Sequence, residues 1–239
     1  MARPGHNAAD NNPVRPRLAA LIPAYQAAST IQRVVQDASQ QVEFVLVVDD
    51  GSTDDTAARA RTGGAEVVRH TVNAGKGAAL VTGMARLQSL GFTHALTMDA
   101  DGQHLGTEIP KLAAAVRTDP DALIIGARTI GDQSVASVNL LGNRVANRAV
   151  RAATGITLDD TQSGFRVYPI AATLSLPRRG TRFEYETGVL VRAARAGIAI
   201  RSVPVDVYYP PVAERRTHYR KVLDTLRVIR EMLPLLVRR

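Results

Sequence analysis

Two aspartates separated by a single residue follow an apolar run in the segment LTMDADGQHLG, residues 96–106. Asp99 and Asp101 repel each other at this spacing, and burying either carboxylate is costly unless a positive charge lies nearby. Two carboxylates at the end of a strand can share a divalent cation, because Mg²⁺ and Mn²⁺ prefer oxygen ligands. The pair therefore predicts a metal site, with an Asp-rich turn as the alternative. His104 could support the metal, contact a phosphate or occupy the turn.

Two further motifs suit a nucleotide and its phosphates. In VVDDGSTDDT, residues 47–56, Asp49 and Asp50 precede a Gly-Ser turn, and such carboxylates can accept hydrogen bonds from a base or ribose. In NAGKG, residues 73–77, Lys76 lies between two glycines where a helix starts, and this position favours an anion. Each motif has a plainer interpretation: a capped turn for the first, and a loop with a surface lysine for the second.

These motifs lie where short apolar segments end. Alternating strands and helices with continuous Val, Ile and Leu runs predict an α/β fold, with a mostly parallel, Rossmann-like sheet covered by helices on both faces. Ligands of such sheets bind at the carboxyl ends of the strands. Residues 161–169 are expected to be extended, 184–197 helical and 198–211 an extended pair. Strands are predicted at 18–23, 43–48, 65–70, 94–98 and 122–127, and helices at 29–40 and 75–91.

The composition excludes some kinds of site and indicates where in the cell the protein acts. The chain has no cysteine, which excludes disulfides and thiolate metal sites. No apolar run of about 18 residues is present, and residues 1–17 lack the apolar core of a signal peptide. We therefore predict a disordered tail over 1–17 and a cytoplasmic protein. The net charge of +8 fits either a solvated surface or an anionic partner.

Much of that charge lies in the last 27 residues. Residues 213–239 hold eight Lys and Arg against three acidic residues, giving 8 − 3 = +5, and a helical stripe of apolar side chains. Such a segment is typical of a helix at a membrane surface, drawn to anionic lipid, although it could instead dock on the protein's own core or at a dimer interface. Pro234 should kink or shorten the helix. The stripe consists of Val222, Leu226, Ile229, Leu233 and Leu236.

Six motifs occur in the order seen in family 2 glycosyltransferases of the GT-A fold, and the sequence most resembles the dolichol- and polyprenol-phosphate sugar synthases among them. The resemblance covers roughly residues 18–212, which we assign to a single GT-A domain. The motifs are PAYQAASTI, VVDDGSTDDT, NAGKG, DADGQH, QSGFRVYP and FEYETGVLVRAARAG.

The resemblance implies roles for individual residues on the donor side. Asp99, Asp101 and Gln103 match the residues that hold Mg²⁺ or Mn²⁺ on the donor diphosphate. Lys76 lies in the matching glycine-rich loop. The residues expected to bind the nucleotide sugar are Pro23, Tyr25, Asp49, Asp50, Lys76 and Asp99.

On the acceptor side, Arg128 matches an arginine that binds the acceptor phosphate. The family places an Arg and a Ser on the following segment, whereas Asn139 and Asn143 stand there in this chain, so that Arg144 or Arg148 would have to substitute. The acceptor-binding set is expected to be Arg128, Arg144 and Arg166. Asp101, Asp160 and Glu186 are the candidate catalytic residues, and Glu184 is a further candidate for a general base.

The resemblance implies an inverting, metal-dependent glycosyltransferase that moves a sugar from a UDP- or GDP-linked donor to a lipid-linked acceptor, most simply polyprenyl phosphate. We expect it to be peripheral, at the inner face of the membrane. The alternatives are a hydroxyl-bearing or soluble acceptor, or a sugar-phosphate nucleotidyltransferase. A nucleic-acid-binding module is disfavoured because aromatics are scarce and the charge concentrates at one terminus. An inactive binding scaffold is disfavoured by the intact aspartate pair.

Overall fold

A computed structural model describes residues 15–129, 147–148, 150–177, 180–182 and 184–208. Its centre is a seven-stranded sheet in the order β3-β2-β1-β4-β6-β5-β7, as expected for the predicted α/β class. The strands are β1 (Leu18–Ala24), β2 (Val45–Asp49), β3 (Glu66–Arg69), β4 (His94–Thr97), β5 (Leu123–Arg128), β6 (Arg166–Pro169) and β7 (Ile200–Val205).

The sheet is mostly parallel, in agreement with the sequence prediction. β1 pairs in parallel with β2 and β4, β2 with β3, and β5 with β7. The exception is β6, which lies between β4 and β5 and runs antiparallel to both. The carboxyl ends of β1, β2, β4 and β5 therefore point toward one edge of the sheet, and this edge carries the chemistry-bearing residues.

Helices cover both faces of the sheet. On one face, Leu80 and Met84 of α3 (Lys76–Ser89) pack with Leu21 of β1. On the other face, Val35 of α1 (Ile31–Ser39) packs with Ile22 of the same strand. Successive residues of β1 thus enter opposite cores, which explains its continuous apolar sequence. The helices whose bounds the structure gives in full are α1 (Ile31–Ser39), α2 (Thr56–Thr62), α3 (Lys76–Ser89), α4 (Ile109–Thr118), α5 (Ile170–Ser175) and α6 (Glu184–Arg195), with a 3₁₀ turn at Gly106–Glu108.

Several of the sequence predictions concern residues outside the ranges that the structure describes. Residues 1–14, the basic segment 213–239, Asn139, Asn143 and Arg144 lie outside the described residues. Arg17, at the end of the predicted tail, is docked: its guanidinium lies 3.0 Å from Glu43 Oε1 and 4.6 Å from the centre of the Phe92 ring. Within the described ranges, no helix is long and apolar enough to cross a membrane.

Candidate functional site

Three segments that are distant in sequence meet at the carboxyl end of β4. The Lys76 ammonium, at the first residue of α3, lies 2.5 Å from Asp99 Oδ1 and 2.8 Å from Glu186 Oε2 at the start of α6. Burial alone would lower the pKa of Lys76, but the two carboxylates raise it above its usual value. Burial would likewise raise the pKa of Asp99, but Lys76 lowers it to about 2. The three groups therefore form a charged cluster.

Asp101 lies beside this cluster, but burial and the Asp99 carboxylate affect its pKa more than the Lys76 ammonium does. Its Oδ1 accepts a hydrogen bond from the backbone N–H of Gln103 at 3.0 Å, and its Oδ2 accepts one from the side-chain Nε2 of Gln103 at 2.9 Å. Burial and the neighbouring Asp99 carboxylate raise the pKa of Asp101 to about 6. Lys76 thus compensates one aspartate of the DADGQH motif and leaves the other with an unfavourable negative charge.

The donor set fits a hard divalent cation. Asp99 and Asp101 supply carboxylate oxygens. The side-chain nitrogen of Gln103 donates to Asp101, so its side-chain oxygen is the group that could bind the cation. At Gly164 a Cβ would lie 2.8 Å from Asp99 Oδ2 and 2.9 Å from Lys76 Nζ, so the glycine keeps the space around these groups open. Among the described residues there is no metal-binding cluster of three or more His, Cys, Asp or Glu side chains. The candidate ligands are therefore two carboxylates and one amide.

His104 supports the turn that carries the aspartates. Its Nδ1 accepts a hydrogen bond from the backbone N–H of Asp99 at 3.0 Å, and its ring stacks on Phe165 with centroids 5.0 Å apart. Burial lowers the pKa of His104 to about 4, so the ring is neutral at pH 7. Of the three roles left open by the sequence, this geometry fits a turn residue best.

The two aspartates at the end of β2 shape loops in this structure: Asp49 is its last residue and Asp50 follows it. Asp50 Oδ1 lies 2.7 Å from His70 Nδ1 and accepts from the Ala74 amide, while its Oδ2 accepts from the Gly75 amide at 2.7 Å. Asp50 therefore holds the glycine-rich loop that presents Lys76. Asp49 is fully buried and accepts a hydrogen bond from the Ser52 amide at 2.9 Å.

The loop after β1 is fixed by the loop after β2. Pro23 is buried within β1, and Tyr25 is half-buried just beyond the strand. Gln26 has a positive φ of 52°, uncommon for a residue other than glycine. Three backbone N–H groups of this loop bind side chains that follow β2, and the motifs gave no signal of these contacts because the partners are ordinary turn residues. The amides of Gln26, Ala27 and Ala28 donate to Ser52 Oγ, Thr56 Oγ1 and Asp54 Oδ2 at 2.9, 2.8 and 3.1 Å.

Arg128 and Asp160 form a two-pronged ion pair. Arg128 Nε lies 2.5 Å from Asp160 Oδ2, and Arg128 Nη2 lies 3.0 Å from Asp160 Oδ1. Burial would raise the pKa of Asp160, but the bonds from Arg128 lower it below its usual value. Two residues that the sequence analysis assigned to separate roles, phosphate binding and catalysis, are therefore partners.

Arg166 occupies the interior rather than an acceptor surface. It is fully buried and donates to the backbone oxygens of Thr161, Ser163 and Glu186 at 2.9, 2.8 and 2.6 Å. It also donates to the Tyr168 hydroxyl. The guanidinium thus joins the 161–163 segment to the start of α6. This position differs from the acceptor contact expected from the sequence, because the donors are directed to internal oxygens.

The two glutamates at the start of α6 have different environments. Glu184 Oε1 accepts from the amides of Thr181 and Arg182, so it caps the segment before the helix. Glu186 lies with the charged cluster, and its Oε1 is buried without a hydrogen-bond partner in the described part of the chain. Among the described residues, Glu186 is the candidate base that shares the Lys76 ammonium with Asp99.

Residues 19–173 match the model of glycosyl transferase family 2. The chain belongs to this family, as the sequence motifs predicted. It is 31% identical to an undecaprenyl-phosphate mannosyltransferase of Micrococcus luteus, over 79% of this chain and 82% of the relative. It is 28% identical to a UDP-N-acetylglucosamine–dolichyl-phosphate N-acetylglucosaminyltransferase of Methanococcus voltae, over 79% and 84%.

The solved structures agree with the predicted GT-A fold. Glucosyl-3-phosphoglycerate synthase from Mycobacterium tuberculosis, in complex with phosphoglyceric acid, superposes with a TM-score of 0.74 at 25% identity, covering 93% of this chain and 80% of that one. A complex of the same enzyme with Mn²⁺, uridine diphosphate and phosphoglyceric acid gives a TM-score of 0.72 at 23% identity, covering 93% and 79%. The chain is thus an enzyme of family 2 with an α/β glycosyltransferase fold.

Proposed function

We propose that this glycosyltransferase moves a sugar from a nucleotide diphosphate sugar to polyprenyl phosphate, with inversion and with Mg²⁺ or Mn²⁺ as cofactor. The observation that carries the proposal is the cluster of Asp99, Asp101 and Gln103 beside Lys76 at the carboxyl end of β4. It combines oxygen ligands for a cation with an ammonium group, and both suit a diphosphate.

The donor is proposed to be a UDP-linked sugar. The Methanococcus voltae relative carries UDP-N-acetylglucosamine in its name, and a GDP-linked sugar is the alternative. The base and ribose would lie against Pro23, Tyr25 and the β2 end, where Asp49 and Asp50 shape the surrounding loops. The diphosphate would then extend toward Lys76 along the sheet edge.

The site would act mainly through electrostatics. A divalent cation held by Asp99, Asp101 and Gln103 would neutralise charge that develops on the leaving diphosphate. Lys76 would add a fixed positive charge in a partly buried site, where such charges act more strongly than in water. Glu186 holds Lys76 in place through its Oε2.

The acceptor is proposed to be a lipid phosphate. Relatives from Micrococcus luteus and Methanococcus voltae are named for undecaprenyl and dolichyl phosphate. A phosphate monoester is already an anionic nucleophile, so its attack needs no general base. Attack from the face opposite the diphosphate inverts the anomeric carbon. Arg128 would bind the acceptor phosphate with Arg144, and the basic segment 213–239 would bring the enzyme to the inner face of the membrane.

A soluble phosphate-bearing acceptor is the second candidate. It is favoured by the similarity to glucosyl-3-phosphoglycerate synthase, whose structure holds phosphoglyceric acid. Both acceptors carry a phosphate, so an arginine at the sheet end would suit either.

Radiolabelled transfer distinguishes the two acceptors. The full chain would be incubated with a panel of UDP- and GDP-sugars, with Mn²⁺ or EDTA, and with undecaprenyl phosphate in detergent or 3-phosphoglycerate in buffer. We expect Mn²⁺-dependent label in the organic extract when the lipid is present. Label that stays in the aqueous phase and requires 3-phosphoglycerate would favour the second candidate. Transfer that persists in EDTA would contradict the metal requirement.

A further inference from the structure

We propose that Asp160 is a positioning residue, which fixes the orientation in which the Arg128 guanidinium receives the acceptor phosphate. This inference rests on the proposed function, because it concerns the same acceptor site. In this role Asp160 is not a general base. The ion pair between Asp160 and Arg128 instead helps to determine how tightly the acceptor phosphate binds.

The bonds of Asp160 are directed mainly at Arg128. Oδ2 accepts from Arg128 Nε at 2.5 Å and lies 3.4 Å from the Arg128 amide nitrogen. Oδ1 accepts from Arg128 Nη2 at 3.0 Å and from the Gln162 amide at 3.2 Å. A planar guanidinium that one carboxylate binds through two of its nitrogens, Nε and Nη2, has a fixed plane and direction. Asp160 therefore determines where the remaining edge of Arg128 points.

The segment that carries Asp160 is itself anchored. Asn147 Oδ1 accepts from the amide and hydroxyl of Thr161 at 3.1 and 2.6 Å, and Asn147 Nδ2 donates to the Asp159 oxygen at 2.9 Å. From the interior, Arg166 Nη2 donates to the Thr161 oxygen. The residues on both sides of Asp160 are therefore held, so the carboxylate is a rigid support for Arg128.

Arg128 is the more exposed partner of the ion pair and Asp160 the more buried one, as expected if Asp160 positions Arg128 for a ligand. The Asp160 side chain is 4% exposed and the Arg128 side chain 30%. Arg128 is the last residue of β5, so its guanidinium reaches the sheet edge that also carries the Asp99 cluster. The positive charge of Arg128 is also among the causes that lower the pKa of Asp99. Arg128 thus presents a charge near the proposed donor site, while Asp160 stays behind it.

The same geometry argues against Asp160 as a general base. A base must come within hydrogen-bond distance of the proton that it removes. Both Asp160 oxygens already accept from Arg128, and the side chain is almost fully buried. An acceptor would have to break the ion pair before it could reach the carboxylate.

Phosphate binding by matched variants tests the inference. The equilibrium Kd of geranylgeranyl phosphate in detergent would be measured without donor for the wild type, Arg128→Lys, Asp160→Asn and the double variant, with geranylgeraniol as the uncharged control. Charge-assisted hydrogen bonds contribute enough that we expect each single variant to bind the phosphate about tenfold more weakly. The double variant should be no weaker than the weaker single one, because both changes remove the same contact. Binding of geranylgeraniol should not change.

Steady-state kinetics distinguish a positioning residue from a general base, because the two roles predict different changes in KM and in the pH dependence of kcat. In Asp160→Asn the KM for the acceptor should rise, while the pH dependence of kcat keeps its shape. A drop in kcat with unchanged phosphate binding and a lost limb of the pH profile would overturn the inference in favour of a base. Asn147→Ala, which loosens the support without touching the ion pair, should weaken phosphate binding in the same direction. This variant decides the question if Asp160→Asn does not fold, and wild-type affinity in it would then overturn the inference.

The outcomes also separate this inference from the proposed function. If Arg128→Lys weakens phosphate binding but Asp160→Asn binds as tightly as the wild type, or more tightly, the acceptor site stands and the positioning role is wrong. If neither variant changes the Kd, the phosphate binds elsewhere, and both the proposed acceptor site and the inference fail.

Discussion

The Lys76 ammonium lies 2.5 Å from Asp99 Oδ1, so the protein places a positive charge of its own against one of its candidate metal ligands. Glu186 shares that ammonium at 2.8 Å. Removing one partner from such a group leaves the other charges uncompensated in a partly buried place, which is more costly than losing an exposed pair. Lys76 therefore contributes to folding as well as to ligand binding.

From this relationship we predict that Lys76→Met lowers the free energy of unfolding by about 3 kcal/mol, as for other buried pairs that lose one partner. Urea denaturation would measure it. Lys111→Met is the matched control: its side chain is 50% exposed and pairs with Glu108, so its loss should change stability much less than the loss of Lys76. Equal effects of the two changes would contradict a structural role for Lys76.

Asp101→Asn should separate metal binding from folding. The pKa of Asp101 is raised to about 6 by burial and by Asp99, so its negative charge is unfavourable in the folded state above that pH. We therefore expect the variant, without metal at pH 8, to be at least as stable as the wild type. It should lose both the Mn²⁺-dependent increase in Tm and the transfer activity. A normal Mn²⁺ response in this variant would remove Asp101 from the metal site.

Arg166→Met should be among the most destabilising single changes in the chain. Arg166 is fully buried and donates to three backbone oxygens and to the Tyr168 hydroxyl. Its loss would leave several buried acceptors without partners, at about 1–3 kcal/mol each. Arg201→Met is the control, because Arg201 is 60% exposed in its pair with Asp119. A loss of less than about 1 kcal/mol at Arg166 would contradict this account.

The sheet and much of the site could be predicted from local patterns. β1 is Leu18–Ala24 where 18–23 was expected, because a strand buried on both faces leaves a continuous apolar run. Lys76 is the first residue of α3, and Asp99 lies two residues beyond the end of β4, close to the positions that the motifs indicated. Chain order did not reveal that β6 enters antiparallel between β4 and β5, because strand order depends on packing between distant segments.

The pairings of side chains were the least predictable feature. Ser52 and Asp55 have the spacing of a capping box, yet α2 begins at Thr56 and its N-cap Asp55 makes no side-chain cap bond. The Ser52 hydroxyl instead accepts from the Gln26 amide. Arg128 and Asp160 are 32 residues apart in sequence. Such contacts are formed by the fold, so short-range spacing carries no signal for them.

His94 should make stability depend on pH. Its Nε2 lies 2.7 Å from the Pro120 oxygen, and burial lowers its pKa below the usual value of 6.5. As the pH falls through 6.5, the unfolded chain takes up a proton that folded His94 does not, so stability is lost toward acid. His94→Gln, whose amide can still donate to Pro120, should reduce the difference in unfolding free energy between pH 8 and pH 5. An unchanged difference in urea denaturation would contradict it.

Removal of residues 217–239 should test whether this segment binds the enzyme to the membrane in which a lipid acceptor lies. Residues 217–239 carry six Lys and Arg against two acidic residues, and they include the predicted apolar stripe. Each basic residue near an anionic bilayer contributes about 1 kcal/mol of attraction, so the truncated chain should shift from pelleted phosphatidylglycerol vesicles to the supernatant. A variant in which Leu226 and Ile229 become Asn keeps the charge and measures the apolar contribution. If the truncated chain pellets as fully as the intact one, the segment is not the membrane contact, and its basic face must be explained by docking on the protein itself.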